Sequence, residues 1–346
     1  MPASDRAPSP PADRPRILLV RFSAMGDILL TTPLLRAIRR RHPQAHLTYL
    51  TKRPWVNLLE HNPRLNEVIG IDPSVPLKDV AERLADRDFT HRLDLHGSLR
   101  SRRLRGLLGG KWRGYPKHRI ARTMLIKTKR DFYRDQRHVA ERYFDAAREL
   151  DVTPDEQGLE YFIHRSTQTK ARQFLAATGL GTERSLVAVA PGAAHETKRW
   201  PVQHWQRLVG RLVQHYDVVV VGGPGEVALA DDVAAAGGER AASAAGRFDP
   251  SGSAALLKEA RCTVSGDTGL MHLATAVGTP VVALFGPTVR KFGFTPYRAR
   301  ATILERDLPC RPCSAHGGSS CPIGTHACLV EIEPDLVFES VRRLPR

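Results

Sequence analysis

The sequence predicts an α/β protein built from two domains. Three observations lead there. The apolar runs are short and strand-like, they alternate with segments of helical spacing, and the alternation restarts midway along the 346-residue chain. The clearest unit spans residues 264–287. It reads as a strand, a tight turn at Asp267-Thr268-Gly269, a short helix stopped by Gly278-Thr279-Pro280, and a continuous apolar run from Val281 to Phe285. A parallel βαβ unit leaves free N–H groups where its helix starts, at the carboxyl end of the preceding strand, which is an anion site. There Asp267 suits sugar hydroxyls, and the N–H groups of Thr268, Gly269 and Leu270 suit a diphosphate. The same residues equally describe an ordinary helix with Asp267 as its N-cap.

Composition narrows the class. With 42% hydrophobic and 25% charged residues, and no apolar run near the ~20 residues of a membrane span, the chain reads as soluble and globular. Residues 1–15 lack the apolar core of a signal peptide and read as a disordered tail, so a cytoplasmic protein is expected. The net charge of +16 is uneven: residues 98–142 hold 15 Lys/Arg against 3 Asp/Glu. Such a stretch is a solvated basic face or a surface for an anionic membrane, polyanionic substrate or nucleic acid. Nucleic acid is set aside, because no aromatic-interleaved RNA motif, zinc-finger spacing or helix-turn-helix signature is present.

Taken in order, Arg16–Val20 reads as a buried first strand, followed by a loop over 21–27 and helical spacing over 28–41. Pro33 fits only a first turn, with Thr31 or Thr32 as the cap. The loop stands at the carboxyl end of a strand, where open α/β sheets place ligands. Asp27 there can take a proton from a hydroxyl that is a poor nucleophile, or can serve as a first-turn acid. Strands over 46–50, 67–71 and 92–95 alternate with short helices around 56–59 and 80–84. Asp86-Arg87-Asp88 has the D-x-D form of a metal site but reads as a solvated turn, so no metal requirement is expected. After the strand at 92–95 come His96, Ser98 and Arg100, at the same sheet end. The basic segment follows, with Arg119, Lys127, Lys129, Arg130 and Arg137 ahead of a helix over 139–150. Its apolar Met124-Leu125-Ile126 fits a membrane interface or a plain packing contact.

A polar region beginning near Thr153, with a helix over 167–180, separates the halves. The domains are placed at 16–165 and 166–330, with a last helical segment at 331–346. The second half restarts with strands over 186–190 and 217–221 and helices over 202–216 and 226–236. Pro191 to Pro201 joins the first strand to its helix, and Lys198 there is either a point charge for a leaving diphosphate or a surface lysine. Glu226 ends a glycine turn that is not G-x-G-x-x-G, a weak signal that also fits a favourable first-turn acid. Cys262 is expected within a buried strand. Cys310, Cys313, Cys321 and Cys328 lie within 19 residues. Their C-x2-C-x7-C-x6-C spacing departs from the paired C-x2-C of a zinc ribbon, so a structural Zn site, free thiols and disulfides all stay open.

Two motifs resemble glycosyltransferase family 9, the ADP-heptose:lipopolysaccharide heptosyltransferases. Gly-Asp-Thr-Gly-Leu-Met-His-Leu-Ala at 266–274, with Pro-Val-Val-Ala-Leu-Phe-Gly-Pro-Thr at 280–288, is similar to the donor-site signature. Met-Gly-Asp-Ile-Leu-Leu-Thr-Thr-Pro-Leu-Leu at 25–35 resembles the amino-terminal signature. Lys198 within Lys-Arg-Trp-Pro and Glu226 match weaker elements. The resemblance implies a GT-B architecture: two Rossmann-like domains, a cleft between them, and a last helix crossing back to the first domain. It also implies an inverting, metal-independent transfer with Asp27 as base and Lys198 on the departing ADP. ADP-heptose would be held by Thr197, Lys198, Glu226, Asp267, Thr268, Gly269 and His272. The acceptor, an anionic lipopolysaccharide core at the inner face of the membrane, would meet His96, Ser98, Arg100 and Arg137. Another nucleotide sugar on the same fold, and a non-catalytic basic protein at the membrane face, are the rival readings.

Overall fold

The computed structural model describes residues 14–344. Most of the expected tail, residues 1–13, and the last two residues of the terminal segment lie outside the described residues. The first half contains β1 (Arg16–Val20), α1 (Met25–Leu29), α2 (Thr32–Arg41), β2 (His46–Lys52), β3 (Glu67–Ile71), α3 (Leu77–Ala85), β4 (His91–Asp94), α4 (Leu99–Leu108), β5 (Trp112–Gly114), α5 (Arg119–Thr128) and α6 (Val139–Arg142). The second contains α7 (Arg165–Ala177), β6 (Leu186–Ala190), α8 (Val202–Leu212), β7 (Asp217–Val220), α9 (Val227–Ala235), β8 (Ala241–Ser243), α10 (Pro250–Glu259), β9 (Cys262–Gly266), α11 (Gly269–Ala276), β10 (Val281–Phe285), β11 (Ala301–Glu305), α12 (Ala327–Val330) and α13 (Pro334–Arg343).

The strands form two all-parallel sheets, ordered β3-β2-β1-β4-β5 and β11-β10-β9-β6-β7-β8. These are two Rossmann-like units, the α/β architecture expected. The central strands β6, β9 and β10 are buried along their whole length, Cys262 included, because parallel sheets carry helices on both faces. Pro33 sits in the first turn of α2 after Thr31, where its missing N–H costs no helical bond.

Three details differ from the sequence reading. The helix expected over 139–150 is one short α-turn followed by a 3₁₀ segment over Tyr143–Leu150, with non-helical dihedrals at Ala147. The helix expected over 202–216 ends at Leu212. The last helix does not return to the first sheet. Its Val337, Phe338 and Val341 pack into the apolar cluster of Trp205, Leu208, Leu212 and Val282 on the second domain. Trp200 fixes the approach to that helix, its indole N–H donating to the carbonyls of Leu329 (3.1 Å) and Ile332 (2.9 Å). Among the described residues no helix is long and apolar enough to cross a membrane.

Candidate active site

Each sheet has one point where the chain order reverses. In the first, β1 lies between β2 and β4; in the second, β6 lies between β7 and β9. Open parallel sheets bind ligands at the carboxyl edge of that point. Asp27 follows β1 and His96 follows β4, while Lys198 follows β6 and Asp267 follows β9. The two edges face one another across a cleft of about 580 Å3, lined by Asp27, Lys198, Asp267, Thr268, Gly269 and His272 together with a set of cations.

The facing edges approach closely because two glycines let them. A Cβ on Gly26 would stand 2.5 Å from Cδ2 of His272, and one on Gly269 would stand 3.0 Å from Cβ of Met25. The first turns of α1 and α11 therefore abut across the domain boundary, Asp27 on one and Thr268 at the start of the other.

Asp27 is a paired carboxylate. Arg21 Nη2 lies 2.6 Å from its Oδ1, and the Ala24 N–H donates to Oδ2 at 3.4 Å. Arg21 is itself oriented, Nη1 donating to the Leu95 carbonyl (2.6 Å) and Nε to the Ser23 carbonyl (2.8 Å). Burial opposes ionisation of Asp27, but the charge and hydrogen bond of Arg21 outweigh it and hold the carboxyl below its ordinary value.

On the opposite edge, Lys198 Nζ donates to Asp267 Oδ2 (2.7 Å) and to the Asp267 carbonyl (3.0 Å), and the Thr288 hydroxyl donates to the same Oδ2 (2.7 Å). Thr268 caps α11 without a side-chain bond to the first turn, so the leading N–H groups of the helix stay open for an anion. His272 is buried with Nδ1 unpartnered. Burial pushes its imidazole down to about 4, against the pull of Asp267 and Asp27, so it is neutral at pH 7.

The other predicted residues are distributed as follows. Thr197 is buried beside Lys198, its hydroxyl exchanging bonds with the backbone of Gly318. Glu226 folds over Gly192, where a Cβ would stand 1.9 Å from its Oε1, and accepts the Gly223 N–H at 2.8 Å. It therefore reaches the edge of the second sheet while capping its own turn. His96 packs its ring against Phe22 at 5.3 Å. Burial, then Arg21 and Lys117, push it down to about 4. Ser98 is the N-cap of α4, accepting from Ser101 N. Arg100 stacks over Phe22, and Arg137 pairs with Asp135 and Asp145. His96, Ser98, Arg100 and Arg137 do not line the cleft. The first-domain side of the cleft is lined instead by Tyr115, Lys117, Arg119, Arg122, Tyr133 and Arg142.

Sequence reasoning did not single out Arg21, Lys117, Arg122, Arg142 or Thr288. Arg21 had a signal, since it directly follows the first strand. Thr288 had one too, as the last residue of the 280–288 motif, whereas Lys117, Arg122 and Arg142 sit among many equivalent charges, and only burial separates a lining cation from a solvated one. Leu125, at the centre of the expected apolar triplet, is buried.

The four-cysteine loop reaches the same cleft through Ala315 and His316. Lys129 of the first domain donates to the carbonyls of Cys310 (2.9 Å) and Pro312 (2.7 Å), and His326 Nε2 bonds the Thr197 carbonyl (2.9 Å). The loop thus ties both domains to the Lys198 turn. A structural Zn site is not assembled: among the described residues no group of three or more His, Cys, Asp or Glu side chains could hold a metal ion, and the cysteines are free thiols. Cys328 is drawn into the core beneath β10, and Cys321 Sγ accepts the His326 N–H at 3.4 Å.

Comparison with known proteins agrees with this geometry. The family model described as glycosyltransferase family 9 (heptosyltransferase) matches residues 78–321. Lipooligosaccharide heptosyltransferase 2 of Haemophilus influenzae is 25% identical, over 95% of this chain and 99% of its own length. A glycosyl transferase family 9 structure from Veillonella parvula superposes with a TM-score of 0.77 at 24% identity, covering 95% of this chain and 97% of that one. The ADP-heptose lps heptosyltransferase II of E. coli superposes with a TM-score of 0.73 at 24% identity, covering 95% and 98%.

Proposed function

Because this chain belongs to glycosyltransferase family 9, the heptosyltransferases, we propose that it moves a heptose from ADP-heptose to the inner core of lipopolysaccharide, with inversion and without a catalytic metal. The observation that carries this reading is the meeting of two half-sites in one cleft. Asp27 stands on one side, and Lys198, Asp267 and the N-terminus of α11 stand on the other.

The donor diphosphate lies at the open N–H groups of Thr268 and Gly269, with Lys198 turning from Asp267 to the phosphate oxygens. Asp267, released from Lys198 and still bonded to Thr288, is then free to accept from a sugar hydroxyl. Glu226, beside Gly192, accepts from the ribose of the nucleotide. An acceptor hydroxyl attacks the anomeric carbon on the face opposite the diphosphate. The new C–O bond forms as the bond to the β-phosphate oxygen breaks, its electron pair leaves with ADP, and the hydroxyl proton passes to Asp27. Lys198 and the helix N-terminus supply the positive charge that the leaving group needs.

Asp27 paired to Arg21 is a weak base. An anionic acceptor competing for Arg21 raises the Asp27 pKa as it binds, so that the base strengthens when substrate is in place. The cations Lys117, Arg119, Arg122 and Arg142 suit such an acceptor. A lipid-linked acceptor further implies work at the inner face of the cytoplasmic membrane.

The decisive test measures thermal stability against ADP, UDP, GDP and CDP, followed by transfer assays with Asp27→Asn. ADP alone, at about 100 times its dissociation constant, should add ~2.7 kcal/mol. A shift with UDP or GDP instead would keep the fold and discard the heptose. Undiminished transfer by Asp27→Asn would end the proposed mechanism. Transfer lost in EDTA and restored by Mg²⁺ would end the metal-independent reading.

A further inference from the structure

We infer that the rim formed by the N-terminal ends of α4 and α5 docks on an anionic lipid bilayer, seating Leu99, Ile120 and Phe132 at the headgroup boundary. Leu99 opens α4 and is 79% exposed, Ile120 lies in the first turn of α5 and is 83% exposed, and Phe132 in the following loop is 53% exposed. Single exposed apolar residues are common and need no account. These three are held on one rim.

Arg119 Nη2 donates to the Gly97 carbonyl at 2.5 Å, and Lys117 Nζ bonds the His96 carbonyl, so the start of α5 is fastened to the turn that begins α4. The loop after α5 folds back onto the same end. His118, which precedes the first turn of α5, bonds Asp135 at 3.2 Å and lies 5.9 Å from the Tyr133 ring.

Charge complementarity selects the occupant. Arg102, Arg103, Lys127, Arg130 and Arg134 are exposed on these elements. In the loop after α5 the two carboxylates are already engaged, Asp131 with Lys291 and Asp135 with Arg137 and His118. Apolar side chains on elements that also carry exposed arginines match an interface of acyl chains beneath anionic headgroups. Arg119 belongs both to this rim and to the cleft wall, so docking here turns the cleft mouth toward the membrane.

The proposal rests on the heptosyltransferase reading only for the lipid-linked nature of the acceptor, and its test separates the two. Sedimentation of the full chain with vesicles of phosphatidylethanolamine and phosphatidylglycerol should carry protein down, less so as salt rises, while phosphatidylcholine vesicles should not. Leu99→Glu/Ile120→Glu should bind at least about tenfold less, with an unchanged circular-dichroism melt. Leu99→Ser/Ile120→Ser repeats the test with uncharged replacements. Absence of wild-type binding, equal binding to phosphatidylcholine, or unaltered binding by both double variants would each overturn the proposal. Transfer to a delipidated soluble acceptor, assayed in parallel, should be equal in wild type and variants. Its absence from the wild type would count against the heptose reading alone, since vesicle binding is read without any sugar.

Discussion

Arg21 and Asp27 form a 2.6 Å ion pair at the carboxyl edge of the first sheet, directly opposite the Lys198–Asp267 pair at the edge of the second. On the mechanism proposed above, each pair joins a cation and a carboxylate that substrate separates. These two pairs are satisfied within the protein, and on that mechanism each substrate half exchanges one internal partner for itself.

Asp27→Asn should lower kcat by about 10²–10⁴-fold while ADP still shifts the melting temperature. Because Arg21 holds the Asp27 carboxyl below its ordinary value, the acid limb of kcat/KM should fall below the ~3.9 of an unperturbed aspartate. In Arg21→Gln, only the Ala24 N–H and His272 still oppose burial, and the limb should move upward into the measurable range. The sign for stability is the same. A depressed carboxyl contributes fully above the unfolded value and loses that contribution as pH falls through the folded one.

Lys198→Met leaves Asp267 buried with Thr288 as its remaining side-chain partner. Removing one member of a buried pair costs about 3–5 kcal/mol, less any screening through the open cleft. The variant should melt earlier and lose its response to ADP. Lys198→Met/Asp267→Asn should recover the melting temperature without recovering the ADP response.

Gly26→Ala tests the domain contact. Its new methyl would press into the His272 ring, 2.5 Å from Cδ2, and hold the two edges apart. Misplacement on that scale costs about 10²-fold in rate. The loss should appear in kcat, with ADP affinity little changed, since the nucleotide half-site belongs to the second sheet. Gly26→Ala/His272→Ala should relieve the clash, and small-angle scattering should show a wider single-mutant particle.

Lys117 reports on the proposed acceptor side of the cleft. Burial first, then Arg21 and Arg119, bring its ammonium down to about 8. An anionic acceptor should bind best below that pH and lose affinity as the lysine gives up its proton. KM for the acceptor should rise between pH 7 and 9, and Lys117→Arg, which stays charged, should flatten the profile.

What was legible in the sequence was mostly local. The unit β9-α11-β10 could be read because a continuous apolar run, a glycine-proline stop and an Asp-Thr-Gly turn act within a few residues of one another. The strand over Glu67–Ile71 and the placement of Pro33 followed from the same short-range rules. β5, β8, β11, α4, α5, α10 and α12 were not anticipated. The three strands are short or only half-buried, and basic residues break the apolar rhythm of α4 and α5.

The sequence by itself determined the two α/β halves and the residues at their strand ends, because backbone periodicity and turn chemistry are local. Only the tertiary structure decided which charges face one another. Gly26 and His272 are 246 positions apart, yet a single methyl group would separate them. Ser98 was spent on a helix cap, while Lys117 and Arg142, alike in type to many neighbouring cations, reached the cleft. A side chain's partner depends on which edges the fold brings together, and a run of like charges carries no local mark of that choice.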